Sequence, residues 1–267
     1  MIHEMVFNLS LLTIFFYLSL TKAMALESTP KTDPKQIIST WEPQLIKTLE
    51  PKIQEHFKEN RGKVPFLLAI AGIPGSGKTT SSSILSSVLS NQYGVDNVVL
   101  PMDGYHYPLS YLKSLENSAD MVYRRGASDT FDAAAFQLDL KRIRDGDGES
   151  IIFLPGFDHA VGDPEKDQYK FERSRHDVVI CEGLYLFYDE GEWKQTKNLF
   201  HYKIFIDADI DRCIDELKER NKCIPGYTPE EIEKRCDEVD RQNALTVVHS
   251  RSSADEFVTS ANVLKKN

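Results

Sequence analysis

Apolar residues along this chain fall into two kinds of pattern. The runs "VPFLLAIAG" (64–72), "NVVLPMDG" (97–104), "SIIFLPGFD" (150–158), "DVVICEGLYLF" (177–187) and "YKIFIDA" (202–208) are short and mostly unbroken. Unbroken apolar runs of that length predict strands covered on both faces, as in a parallel sheet packed between helices. Between them the apolar spacing changes to the helical period, predicting helices over Thr79–Asn91, Asp132–Asp145, "DIDRCIDELKER" (209–220) and "TPEEIEKRCDEVDRQNALTVV" (228–248). Asp132 is the expected N-cap before "AAAF", and Thr228-Pro229-x-Glu231 combines a cap, a proline at the first helical position and a capping-box glutamate. Strands alternating with helices predict an α/β fold: a doubly wound parallel sheet with helices on both faces, in a single domain over 61–267 with lid helices near its end.

Upstream the pattern is different. Over 27–60 a polar, proline-containing linker leads into Ile37, Ile38, Trp41, Leu45, Leu49, Ile53 and Phe57, mostly at helical spacing. Pro43 and Pro51 each predict a break, giving two or three short amphipathic helices packed on the main domain. Residues 1–26 form an apolar segment. "VFNLSLLTIFFYLSL" (6–20) followed by "KAMA" outlines a signal peptide, yet "MIHEM" lacks the usual positive charge and the run is short for a membrane span. The segment therefore reads as signal-like, as an anchor, or as lying upstream of a true start at Met24.

Composition narrows the function classes. A formal net charge of -9 argues against a nucleic-acid surface, which would be basic. Four cysteines without C-x-x-C spacing predict neither zinc nor a disulfide framework, and suit a reducing compartment. The cytoplasm is the first expectation, with targeting or membrane tethering through residues 1–25 as the alternative. A homodimer is one assembly open to it.

The chemistry concentrates after the first apolar run. Gly72-x-x-x-x-Gly77-Lys78-Thr79 has the spacing of a phosphate-binding loop, delivered by a strand and followed by a helix. Gly72, Gly75, Ser76, Gly77, Lys78, Thr79 and Thr80 are the expected nucleotide-binding residues. Glycines let backbone N–H groups turn onto phosphate oxygens, and the helix N-terminus adds its positive end. Lys78 is expected on the terminal phosphates of ATP and the Thr79 hydroxyl on Mg²⁺. Three further acids, Asp103, Asp158 and Glu182, come after the apolar stretches "NVVLPM", "SIIFLP" and "VVIC". Ligands bind at carboxyl ends of parallel strands, so these three are expected to converge on the phosphate end.

The ordered set "GIPGSGKTT", "PMDGYH", "RRGASDTFD", "PGFDHAVGDP" and "VVICEGLYLF" resembles the uridine kinase, phosphoribulokinase and pantothenate kinase group of P-loop kinases, nearest its nucleoside/fructose-kinase-like branch. The resemblance spans about Lys63 to Leu264. It implies an ATP- and Mg²⁺-dependent kinase acting on a hydroxyl of a small metabolite, such as a nucleoside, a sugar or a pantothenate-like molecule. It implies Asp103 as the base toward the acceptor hydroxyl and Glu182 beside Mg²⁺ with Thr79. Arg124, Arg125, Asp158 and His159 fall at substrate-side positions, and Arg220 falls where a lid arginine approaches the transferring phosphate. Tyr105, Tyr107 and Phe157 are candidates for lining a sugar or base pocket. An i, i+4 ion-pair ladder through Arg212, Glu216 and Arg220 is the competing account of that helix. Uridine kinases carry a His-Pro element where this chain has "ASDTFD", which leaves the acceptor open. A hydrolysing switch without an acceptor is the alternative function, and a silent nucleotide-binding module is disfavoured by the intact Lys78, Thr79 and Glu182.

Overall fold

A computed structural model describes residues 34–60, 64–146, 150–158, 161–222 and 227–259. The apolar segment 1–26 lies outside the described residues. Among those described, no helix is long and apolar enough to cross a membrane. Residues Ile38–Asn267 make one compact unit.

Its centre is a five-stranded sheet in which every pairing is parallel. The strands are β1 (Phe66–Gly72), β2 (Asn97–Pro101), β5 (Val178–Gly183), β6 (Tyr202–Asp207) and β7 (Glu256–Thr259), in the order β2-β5-β1-β6-β7. All residues of β1 and β5 are buried. Alternate residues of β1 feed two separate cores. Leu67, Ala69 and Ala71 join Leu100, Phe136, Cys181 and Phe205, while Phe66, Leu68 and Ile70 join Leu49, Ile53, Leu85 and Val88. Each side chain of that kind is worth about 1.5–3 kcal/mol on burial, so both faces of the strand must be apolar. This is the doubly wound α/β architecture that the unbroken runs predict.

Helices cover the two faces. The first, α1 (Pro34–Asn60), runs without interruption where the sequence predicts breaks at Pro43 and Pro51. A proline removes one N–H from the ladder, and a long helix can absorb that loss. After β1 comes α2 (Lys78–Tyr93). Two short helices, α3 (Leu109–Ser114) and α4 (Ser118–Tyr123), were not legible in the sequence; α5 (Ala133–Asp145) follows, capped by Asp132, whose side chain accepts the Ala135 N–H at 2.8 Å. Later, α6 (Ile210–Asn221) precedes a helical stretch of α7 (Pro229–Arg235), a π turn over Cys236–Asp240 and α8 (Arg241–His249). The capping box at Thr228 and Glu231 forms as expected.

One strand is not where the pattern places it. The run "SIIFLPGFD" forms β3 (Ile151–Asp158), which leaves the main sheet and pairs antiparallel with β4 (Asp163–Glu172) in a two-stranded hairpin. A parallel position would need a long crossover, and only four residues separate these strands. Along β3, Ile152 and Leu154 are buried while Ile151 and Phe153 are exposed, the alternation of a strand covered on one face. β4 escaped sequence reading because its residues are mostly charged. The run 177–187 also ends as a strand at Gly183, and 97–104 at Pro101, where a 3₁₀ turn over Met102–Tyr105 takes over.

The amino-terminal ends of β1 and β6, near α1, carry a histidine pair. His201 Nδ1 accepts the Leu67 N–H at 2.8 Å, its ring stacks on Phe66, and the His56 ring lies 4.3 Å away. Burial, the neighbouring His56 and Arg144 push His201 down to about 4. A ring nitrogen that accepts a bond must stay unprotonated, and the folded state therefore binds fewer protons than the unfolded chain between about 4 and 6.5. Stability is expected to be fully present above pH 6.5 and to fall as the pH drops toward 4. In His201→Gln, whose amide oxygen can accept the same bond, thermal denaturation across that window should show a shallower loss than in the wild type.

Candidate active site

The loop between β1 and α2 is shaped for an anion. Gly75 and Gly77 stand at φ 76° and 86°, in the left-handed region that favours glycine. Gly77 is the N-cap of α2 and supplies no side-chain acceptor, so the first-turn N–H groups and the helix dipole are left for a phosphate. A Cβ on Gly75 would stand 2.9 Å from the Cys213 carbonyl, which shows how tightly the loop is pressed against α6. The Lys78 ammonium reaches back over the loop and donates to the Ile73 carbonyl at 2.9 Å.

Two acids face this loop from neighbouring strand ends. Glu182, near the end of β5, is 5% exposed and accepts the Thr79 hydroxyl at 2.9 Å. The register pairs Glu182 with Pro101, and Asp103 follows two residues later in the 3₁₀ turn. Burial, reinforced by the charge of Asp103, pushes Glu182 up to about 7. Lys78 is pulled below its ordinary range by burial and held up against that by Glu182 and Asp103, with Arg220 of α6 adding a downward push. Lys78, Glu182, Asp103 and Arg220 therefore share one electrostatic neighbourhood. The plain ion-pair account of α6 holds for Arg212 and Glu216, bonded at 3.1 Å.

The donor set suits a hard divalent cation. The Thr79 hydroxyl and the Glu182 carboxylate are oxygen donors in contact, with the negative charge of Asp103 nearby, an arrangement that invites a positive charge. Among the described residues no three His, Cys, Asp or Glu are grouped to hold a metal unaided. Mg²⁺ ordinarily takes only one or two protein carboxylates and completes its shell from phosphates and water.

Asp158 does not come from a third strand of the same sheet; the hairpin carries it, and its carboxylate accepts the Val161 N–H at 3.3 Å. That hairpin packs on the Asp103 turn. Gly104 lies so close to β3 that a Cβ there would run into the Pro155 carbonyl. Gly104→Ala is therefore expected to cost about 1–3 kcal/mol of stability, read as a lower Tm, because backbone must move on one side or the other. His106 stacks on Phe131 at 3.9 Å and leans on Phe157 at 4.9 Å, so the residue after the turn packs against the hairpin.

The remaining sequence candidates divide. Tyr105 is buried, and its hydroxyl donates to Asp139 at 2.9 Å, so it serves the core next to Phe136. Tyr107 lies against Tyr111 at 4.7 Å. Arg124 is engaged by Asp120 and Asp129, both at 2.8 Å. Arg125 points inward and pairs with Asp163 at 2.6 Å. His159 lies outside the described residues. The structure adds Tyr169, on β4, to the neighbourhood: Glu182 and Asp103, after burial, raise its phenol above the ordinary range. Only the alternation in "DQYKFE" could have marked it, and the charges there read as a loop.

A family model described as "Phosphoribulokinase / Uridine kinase family" matches residues 67–263. A Schizosaccharomyces pombe protein named as a candidate uridine kinase is 32% identical over 195 residues, covering 72% of this chain and 81% of that protein. A pantothenate kinase from Pasteurella multocida is 29% identical over 174 residues, covering 61% of this chain and 52% of the relative. Among solved structures, a candidate fructose transport system kinase from Silicibacter sp. superposes with a TM-score of 0.65 at 27% identity, over 73% of this chain and 90% of the other. These matches support a small-molecule kinase that uses a P-loop to bind nucleotide, and the chain belongs to the phosphoribulokinase/uridine kinase family.

Proposed function

We propose that this kinase transfers the γ-phosphoryl group of ATP to a hydroxyl of a small polyhydroxy metabolite, a nucleoside, sugar or pantothenate-like molecule, with Asp103 as the base. The observation that carries the reading is the placing of Asp103 and Glu182 on adjacent strand ends, both within electrostatic reach of Lys78. A P-loop switch needs an acid for the metal; a second acid on the acceptor side, backed by a packed hairpin, suits a bound alcohol.

Lys78 and the first-turn N–H groups of α2 hold the terminal phosphates, and Thr79 and Glu182 are the residues that would hold Mg²⁺. When bound, the metal neutralises charge on the phosphoryl oxygens. Asp103 orients the acceptor hydroxyl and takes its proton as the oxygen approaches phosphorus. Arg220 brings a further positive charge from α6 to the transferring group. Asp158 and the His106–Phe157 contact border the acceptor. A reducing, nucleotide-rich compartment such as the cytoplasm suits the buried thiols of Cys181, Cys213 and Cys236.

The test is incubation of the purified protein with ATP, Mg²⁺ and a pool of nucleosides, sugars, D-glycerate and pantothenate, followed by mass spectrometry. A product heavier by one phosphoryl group and made only with acceptor present supports the reading. ADP formed at the same rate with and without the pool would favour the hydrolysing switch.

A further inference from the structure

Arg125 sits between three segments that are remote in sequence. Its side chain is 11% exposed. Nη1 donates to the Gly162 carbonyl, and Nη2 donates to the Tyr107 carbonyl at 3.0 Å and to Asp163 Oδ1 at 2.6 Å. Its flat face lies 5.4 Å from the Phe157 ring centre. Nε is buried with no hydrogen-bond partner among the described residues. Asp163 Oδ1 in turn accepts the Leu109 N–H at 2.9 Å, at the start of α3. The Arg125 carbonyl accepts from Arg235 Nη2 of α7 at 2.6 Å, and Arg235 also pairs with Asp240 in the π turn at 3.4 Å.

A planar fork with fixed donors spans a carboxylate and two carbonyls in one set geometry; a lysine's three donors sit on a single nitrogen on a flexible stem and do not fix that spread. Occupied this way, three of the five N–H donors are already engaged within the protein, both of those on Nη2 among them. A substrate contact would have to break a short, largely buried ion pair, and that is costly because it strands Asp163.

We propose that Arg125 is a positioning residue: with Asp163 it clamps the Gly162–Asp163 end of the β3–β4 hairpin to the Tyr107–Leu109 loop and, through its own carbonyl, ties both to α7. The hairpin and the loop flank the Asp103 turn, so the clamp sets the acceptor side while leaving the P-loop alone. Calling that side the acceptor site rests on the kinase reading above; the clamp itself does not.

Hydrogen–deuterium exchange on the full chain separates the two. In Arg125→Lys and in Asp163→Ala, peptides covering 105–113 and 161–170 are expected to exchange at least about tenfold faster, since charged hydrogen bonds hold both segments. Peptides of β1 and β5, and ADP affinity, should stay at wild-type values. Asp163→Asn, which keeps an acceptor for Leu109, should lie between. With the acceptor pool, both strong variants should lose turnover by a raised acceptor KM more than by a lowered kcat. Two results overturn the clamp: loosening confined to the substituted segment, or an Arg125→Lys variant that loses kcat while Asp163→Ala exchanges and turns over like the wild type. The second result would make Arg125 a substrate contact. A wild type that phosphorylates nothing in the pool would remove the kinase reading, and the exchange data alone would then decide the clamp.

Discussion

Lys78→Ala is expected to reduce phosphoryl transfer by about a hundred- to a thousandfold or more while leaving the fold intact. The ammonium donates to the Ile73 carbonyl, and burial already disfavours its charge. Removing it lifts that penalty but leaves Glu182 and Asp103 with less compensation, two opposed and partial effects on stability. The thermal midpoint should therefore move little, and the lost activity reports on phosphate held in the transition state. A variant that retained near-wild-type transfer at unchanged Tm would remove the phosphate-clamp assignment.

Asp103→Asn is expected to leave nucleotide affinity within a few-fold and to cost about a hundred- to ten-thousandfold in acceptor turnover. Asparagine keeps the volume and gives up the charge and the proton acceptor. The backbone bond of the turn, from the His106 N–H to the Asp103 carbonyl, is unaltered by the substitution. Loss of the charge also removes one of the two influences that push Glu182 upward, and with it one that supports Lys78. Melting, nucleotide affinity and acceptor turnover measured on the same variant decide the matter. A less stable but fully active enzyme would mean that Asp103 is a turn residue and that the base lies elsewhere.

The central sheet was legible because β1 and β5 are buried on both faces and must be apolar at every position. The P-loop was legible because glycines at positive φ followed by a lysine leave a pattern few other structures need. The hairpin was misplaced for a physical reason. An apolar run of nine residues reads alike whether one face is buried or two, and the partner that would have settled it, β4, is polar or charged wherever it is exposed. The same gap hid Asp163 and Tyr169. Their significance lies in partners remote in sequence, Arg125 for one and Glu182 for the other, and no local spacing encodes such pairs. Tyr105, by contrast, carried a polar tip that the sequence could equally assign to a pocket or to Asp139.

The strand order has a consequence for how the chain is made. β1 pairs with β5 and β6 and with nothing nearer, so Phe66 waits for Val178 and Leu68 for Tyr202. At cellular synthesis rates the interval from Gly72 to Val178 lasts on the order of ten seconds. Throughout it the most apolar strand of the protein has no neighbour in its sheet, while the β3–β4 hairpin can close locally as soon as it emerges. Folding dominated by such distant pairings is slow. A nascent chain stalled before Val178 is therefore expected to present β1 to chaperones, and one released after Asp207 to bury it.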